Sequence, residues 1–514
     1  MENFKTNKQG GVARGNPNFV LPAAILWGIV IGVILAIFWY NSDFSSSLQR
    51  IYLLPWSLLT GVILLAPSIY FVYKKKFDPF HPLVFGVWSY LFPAFVIGGL
   101  ILAFGWSDPY YLTFVENPRF NLPLSLMYVA IGYLGIVAGY FVPLGRIGAE
   151  KTEKWLPKWN WRPNEVWVPG IFLILAGIGF NIFGFLQGLL GFQRVDEIGI
   201  FDGLLFFLVI ILTEGSLLLW LGIFSVKEKK GIYYLILLAL IAIIPLKMGL
   251  QGNRGSLLSS IIPIGLAFQY SGRRLKGIHT VVLGGALVVA VFIGMIYGTA
   301  FRNIKGSEAR INAGDYFGQV SATLDYLTTK DPGYIFSESV ATLAERIENL
   351  SALGVAVANY EKLAPYESNF GIENNIINDL YTSLIPRFIW PDKPPTSDAR
   401  AYSDLYFNYS ENSFAVTPFG DLLRNFGPLG VPLGMFLIGI YFRWIYTQLI
   451  ETSSPTLWKK VSYYLLLIVV SFEAFYATIF PTLIRTVFIL IVSLFVSNMI
   501  INQIRVSQKK SLGN

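Results

Sequence analysis

The sequence predicts an all-α, polytopic integral membrane protein with about 12 transmembrane helices and one large helix-containing loop on the outer (periplasmic or extracellular) side. Three observations lead there. Apolar runs of about 18 residues or more recur along most of the chain. Only 14% of its 514 residues are charged, about half the share carried by a soluble domain. Lysine and arginine gather in every second connection between the apolar runs.

The runs fall at 19–40, 51–73, 82–104, 121–144, 166–187, 203–225, 231–249, 255–271, 279–300, 428–446, 461–480 and 482–502. The first is too long for the apolar region of a signal peptide and lacks a small-residue cleavage site. Lys5, Lys8 and Arg14 precede it. Further basic connections carry Lys74–Lys76, Arg146 to Arg162, Lys227 to Lys230, Arg273 to Lys276 and Lys459–Lys460, and the tail has Arg505, Lys509 and Lys510. The alternation closes over twelve spans with both termini cytoplasmic. The net charge of +8 therefore reads as retention of basic loops at one membrane face, not as affinity for nucleic acid. No cysteine is present, so disulfides and thiolate metal sites are excluded.

This divides the chain into a bundle over 1–300, a loop domain over 301–427, and C-terminal helices with a cytoplasmic tail over 428–514. A connector as long as 301–427 is usually functional, and helical apolar spacing over 335–364 predicts helices inside it. No internal repeat supports a transporter built from inverted halves.

Three charges fall inside apolar runs: Glu214, Lys247 and Glu473. Each costs about 2.5–3.5 kcal/mol near a bilayer centre on insertion scales, so each should face a bundle interior or a wet cavity. The sequence suggests that Lys247 pairs with Glu473 or Glu214, as part of a functional cavity or as a structural pair.

Three further stretches offer anion-binding chemistry. Gly252-Asn253-Arg254-Gly255 opens a span, where free backbone N–H groups and the helix dipole favour an anion and Arg254 adds a fork suited to phosphate. The alternative is an arginine snorkelling to the interface. Pro386-Arg387-Phe388-Ile389-Trp390-Pro391-Asp392-Lys393-Pro394 is stiffened by its prolines and presents Arg387 and Lys393 from ordered backbone, with Trp390 as an interface anchor. Thr417 to Gly427 re-enters the membrane, and its Asp421 and Arg424 share a helix face, as a site or as a local ion pair. Arg346 is one more cation on the outer side. The loop tyrosines, among them Tyr316, Tyr334, Tyr366, Tyr381, Tyr402 and Tyr406, suit sugar stacking or ordinary core. His81 and His279 fall near cytoplasmic helix ends and read as interfacial residues.

The Pro386-Arg387…Trp390-Pro391-Asp392-Lys393-Pro394 string, the Gly-Asn-Arg turn and the Phe419–Gly430 re-entry resemble motifs of oligosaccharide repeat-unit polymerases of the Wzy type, the polymerases of O-antigen, capsule and exopolysaccharide. The resemblance implies a GT-C-like glycosyltransferase of the bacterial cytoplasmic membrane. Such an enzyme moves a glycan from undecaprenyl pyrophosphate to a new lipid-linked unit at the outer face, without nucleotide sugar, cofactor or metal. Its partners would be that lipid-linked oligosaccharide, membrane lipids, and a chain-length regulator and flippase of the pathway.

Displacing a diphosphate needs cations at the leaving group. Arg254 and Arg387 are the expected catalytic arginines, with Arg424, Lys393, Arg346 and Trp390 binding diphosphate or glycan. For a general base, Glu338, Glu345, Glu411 and Asp421 compete, and Asp421 is chosen for its motif. An O-antigen ligase is the nearest rival, disfavoured by the lack of an outer histidine. A lipid-linked oligosaccharide flippase would explain the intramembrane charges, but not a rigid loop on one face. A non-catalytic assembly partner would leave the ordered cations without a task.

Overall fold

The computed structural model describes residues 50–190, 202–226, 231–251, 255–272, 285, 294, 296–301, 304, 313–385, 389–393, 397–410, 413–414, 416–451 and 455–512. Among the described residues the regular structure is all helical. Six helices are long and apolar enough to cross a membrane: Ile51–Tyr73, Pro82–Ala103, Pro118–Phe141, Trp167–Leu186, Thr417–Glu451 and Tyr476–Lys510. Ile210–Ser225 and Gly231–Lys247 are apolar but shorter. The chain is thus compatible with a membrane-embedded protein, and the first four of these spans lie where the hydropathy puts them.

In chain order we label α1 Leu54–Tyr73, α2 Pro82–Ala103, α3 Pro118–Phe141, α4 Leu144–Thr152, α5 Trp167–Leu186, α6 Asp202–Leu208, α7 Ile210–Ser225, α8 Gly231–Gln251 and α9 Gly255–Tyr270. In the 301–427 segment lie α10 Ala313–Thr329, α11 Pro332–Ile347, α12 Leu350–Leu363, α13 Asn375–Thr382 and α14 Ala399–Phe407. Then follow α15 Thr417–Tyr446, α16 Leu457–Leu467 and α17 Ile479–Leu512.

Among the described residues, stretches beside the basic connections meet at one end of the bundle. Tyr270 donates its hydroxyl to Asp78 at 3.0 Å and accepts Lys460 Nζ on its carbonyl at 2.7 Å. Trp161 donates to Asn498 at 3.2 Å, and Arg505 pairs with Glu165 at 2.6 Å. His81 is buried here, contrary to its reading as an interfacial residue. Its Nδ1 accepts from the Leu83 N–H at 3.3 Å and caps α2, while Nε2 faces the Tyr140 hydroxyl at 2.8 Å. The opposite end joins the 301–427 segment to the bundle: Asn359 donates to the Phe114 carbonyl at 2.9 Å and Asn349 N–H to Ala94 at 3.2 Å. Helix α12 goes further in. Leu350 to Val357 are all buried, in one core with residues of α3 and α15.

Helices α3 and α15 pack backbone to backbone. A Cβ on Gly139 would meet the Phe436 carbonyl, and one on Gly439 the Ile136 carbonyl. Small residues permit this approach where lipid gives helices no hydrophobic reason to associate. Helix α15 is broken at Gly427, with φ 69° and ψ −167°. Its first arm folds back on its second. The Leu422 side chain stands where a Cβ of Gly434 would go, although twelve residues of straight helix would put them about 18 Å apart. The chain therefore turns back on itself at Gly427, as a helical hairpin. Only glycine adopts such a φ/ψ pair readily, and other residues bear roughly 1–3 kcal/mol of strain there. Gly427→Ala should accordingly lower stability by about that amount, read as a lower melting midpoint in detergent.

Two expectations need correction. The run 461–480 is not one helix: α16 ends at Leu467, and 468–475 are irregular before a short turn Tyr476–Thr478 leads into α17. Non-helical backbone at membrane depth survives only inside protein or beside water. Nor does Lys247 pair with either glutamate. It donates to Thr213 Oγ1 at 2.9 Å and Ser259 Oγ at 3.1 Å, while Glu214 accepts from Ser493 at 2.7 Å. Neutral hydroxyls satisfy both buried charges.

Candidate functional site

The first arm of the α15 hairpin points Asp421 and Arg424 inward. The Arg424 side chain is 0% exposed. Its guanidinium donates to Glu367 at 2.5 Å, to Asn375 Oδ1 at 3.0 Å and to Asp421 at 3.1 Å. Three rings surround it, with centroids at 5.3 Å (Tyr402), 5.9 Å (Tyr406) and 5.9 Å (Phe475). Glu367 also accepts the Tyr406 hydroxyl at 2.8 Å. Burial pushes the Glu367 carboxyl above its usual range, and Arg424 opposes that.

Asp421 is equally committed. Its Oδ1 accepts from Asn375 at 3.1 Å, from Arg424 at 3.1 Å and from Asn425 at 3.3 Å, and its Oδ2 accepts the Ala477 N–H at 3.0 Å. Both carboxylate oxygens of Asp421 and both terminal nitrogens of Arg424 are thus committed to protein groups, while the Arg424 Nε is buried without a partner. A buried carboxylate with both oxygens occupied is not placed to take a proton from a sugar, and a caged guanidinium is not placed to hold a diphosphate. The geometry gives Asp421 and Arg424 a part in holding the fold together.

What they hold is a cleft. Asp421 ties α13, through Asn375, to the start of α17, through Ala477. Between these elements lies a cavity of about 180 Å³ lined by Asp379, Thr382, Ser383, Lys393, Thr478, Pro481, Thr482 and Arg485. Thr478, Thr482 and Arg485 are spaced by four and three residues, so one face of the helical turn and α17 presents them together. Asp379, Thr382 and Ser383 do the same from α13. Lys393 lies between, its Nζ donating to the carbonyls of Thr382 at 2.6 Å and Ile385 at 3.3 Å. It thereby covers the negative end of α13, while α17 starts at the cleft with its positive end. The Arg485 guanidinium lies over the Phe207 ring at 4.7 Å. Of the four hydroxyls on the lining, those of Thr382, Ser383 and Thr478 donate to the carbonyls of Asn378, Leu380 and Phe475, so two cations, the Thr482 hydroxyl and a helix start are what suit an anion of phosphate type.

The one opposing charge is Asp379. It accepts the Ser397 hydroxyl at 2.6 Å, and burial pushes its carboxyl up to about 6, against the pull of Ser397, Lys393 and Arg485. It is neutral below that pH and repels an anion above it. Asp379→Asn should therefore tighten pyrophosphate binding at pH 7.5, by roughly 3–10-fold for one removed like charge. The ratio of variant to wild-type affinity should shrink towards one as pH falls below 6. A calorimetric titration across pH checks both.

Arg254 and Arg387 lie outside the described residues, with the Gly252-Asn253-Arg254 turn and the Pro386–Phe388 part of the proline string. Of the other sequence candidates, Lys393 lines the cleft, Trp390 is half-buried on the segment leading to it, and Arg346 is exposed near Glu473. The sequence reading passed over Arg485. The signal was present, because it is the single charge in 479–502, and a charge inside such a run marks a pathway or a site.

Among the described residues, no group of three or more Asp, Glu and His side chains is placed to hold a metal ion. No family model, curated protein or solved structure matches this chain.

Proposed function

We propose that the chain is a membrane glycosyltransferase that polymerises oligosaccharide repeat units carried on undecaprenyl pyrophosphate. The cleft between α13 and α17 carries this reading: Arg485 and Lys393 meet hydroxyl side chains where the 301–427 segment joins the membrane helices. In this reading the cleft holds the diphosphate, and the cations take up charge as the bond from the anomeric carbon to the diphosphate oxygen breaks. The acceptor is the non-reducing end of a second lipid-linked unit. Arg254 and Arg387 belong to the same leaving-group environment, as the sequence motifs imply, and neither metal nor nucleotide sugar takes part.

The proposal includes a bundle of twelve spans with GT-C-like architecture in a bacterial cytoplasmic membrane, both termini cytoplasmic and the cleft facing outward. It also includes a flippase and a chain-length regulator as partners. The tied cleft favours polymerase over flippase, since a site that must alternate between faces gains nothing from walls fixed to one arm. Purified protein in nanodiscs with synthetic lipid-linked repeat units is the test. A ladder of longer glycans is the expected result. Transbilayer movement without new glycosidic bonds would instead make the chain a flippase.

A further inference from the structure

We infer that Glu473 takes the proton from the attacking hydroxyl of the acceptor sugar. This rests on the glycosyl-transfer reading above and fills the place left when Asp421 proved committed.

Glu473 lies in the irregular stretch between α16 and α17. The flanking residues anchor that stretch. Phe472 fills the space at Gly86, where a Cβ would collide with its ring, and Phe475 stacks on Arg424. The Glu473 carbonyl accepts the Thr417 N–H at 3.4 Å, at the root of the hairpin. Its side chain, by contrast, is exposed. Arg346 from the end of α11 and the hydroxyl of Tyr90 from α2 face it, and Glu348 lies on Tyr90 as well. The Tyr90 hydroxyl is buried without a hydrogen-bond partner. Glu348 is already held by the Ser351 N–H at 2.6 Å and the Ser351 hydroxyl. Among the described residues none donates a hydrogen bond to the Glu473 carboxylate, and none pairs with it within 4 Å. It is therefore a carboxylate with free acceptor capacity, positioned by fixed backbone and faced by one cation.

The reach is adequate. Five residues of chain separate Glu473 from Thr478 on the cleft wall, at most about 18 Å. A glutamate side chain, a sugar ring and a diphosphate end to end span that distance. In the step, the acceptor oxygen bonds to the anomeric carbon of the donor sugar as the carbon–oxygen bond to the diphosphate breaks. The bonding pair leaves with the diphosphate, and the hydroxyl proton goes to Glu473, which returns it to water.

The test is Glu473→Gln in the nanodisc assay. Loss of a general base costs typically 10²–10⁴-fold in rate, so turnover should fall at least about 100-fold while the melting midpoint and pyrophosphate binding stay at wild-type values. A second measurement holds even if that variant folds poorly. The wild-type rate should decline at low pH with the slope of one proton, and Arg346→Gln should move this limb to higher pH, because the cation facing Glu473 is removed. Tyr90 and Glu348 remain in both proteins and do not account for the shift. Wild-type turnover in Glu473→Gln, or a low-pH limb unmoved in Arg346→Gln, overturns the inference and leaves the polymerase reading standing. A wild-type protein that forms no glycosidic bond removes both.

Discussion

Arg424→Met should destabilise the protein by about 3–5 kcal/mol, the usual cost of removing one partner from a buried ion pair. The argument is what stays behind. Glu367 and Asp421, with side chains 7% and 0% exposed, would lose their cation but not their burial. Each would either remain charged in a poor solvent or take up a proton. Arg424→Lys should recover little, because the fork reaches Glu367, Asn375 and Asp421 at once and sits among the rings of Tyr402, Tyr406 and Phe475. An ammonium reaches fewer acceptors and does not stack. Adding Glu367→Gln to Arg424→Met should restore part of the loss, since one stranded charge is neutralised and the two sites share one network. Melting midpoints in detergent for the wild type, both single variants and the double variant measure this. A folded Arg424→Met protein with unchanged midpoint and lost diphosphate binding would return Arg424 to the role its motif suggested.

The same network shows what the sequence could and could not convey. The membrane class was legible because apolar length responds to the bilayer and to little else. The helix starting at Pro82 and the one starting at Trp167 begin within a residue of the hydropathy limits. The helical spacing over 335–364 became α11 and α12, with Glu348 and Asn349 at the break. The Asp421–Arg424 pair was legible too, because three residues on a helix are adjacent by geometry. Its purpose was not. Glu367 and Asn375 lie 57 and 49 residues before Arg424, and no local pattern announces a contact at that separation.

The break at 468–475 was hidden for the opposite reason. Leu465 to Val470 and Ala474 to Phe480 read as one apolar run, and the only charge between them is Glu473. Hydropathy registers the mean of a window, so one charge among some twenty residues barely lowers it, while the backbone responds to where that charge must go. Arg485 was overlooked in the same way. Both charges are easy to miss by averaging and costly for a fold to carry; Arg485 ends at the cleft and Glu473 on the exposed irregular stretch.

Arg485→Ala should abolish chain growth without unfolding the protein. A donor aimed at charge that develops in the transition state is worth about 10²–10³ in rate, and a cation at a diphosphate should be worth no less. The fold should persist, because the cleft is also tied through Asp421 to Asn375 and Ala477, with a smaller loss of stability from the Phe207 contact. Arg485→Lys should stay well below wild type, since two phosphate oxygens are best met by a planar fork and the flat contact with Phe207 would be lost. Lys393→Met makes the contrast. That lysine also holds the carbonyls of Thr382 and Ile385, so its loss should lower the melting midpoint along with diphosphate affinity. Initial rates of ladder formation, pyrophosphate titrations and melting curves on the three variants separate the cases. If Arg485→Ala extends chains at the wild-type rate, the cleft does not hold the leaving group. The chemistry would then have to rest on Arg254 and Arg387 alone.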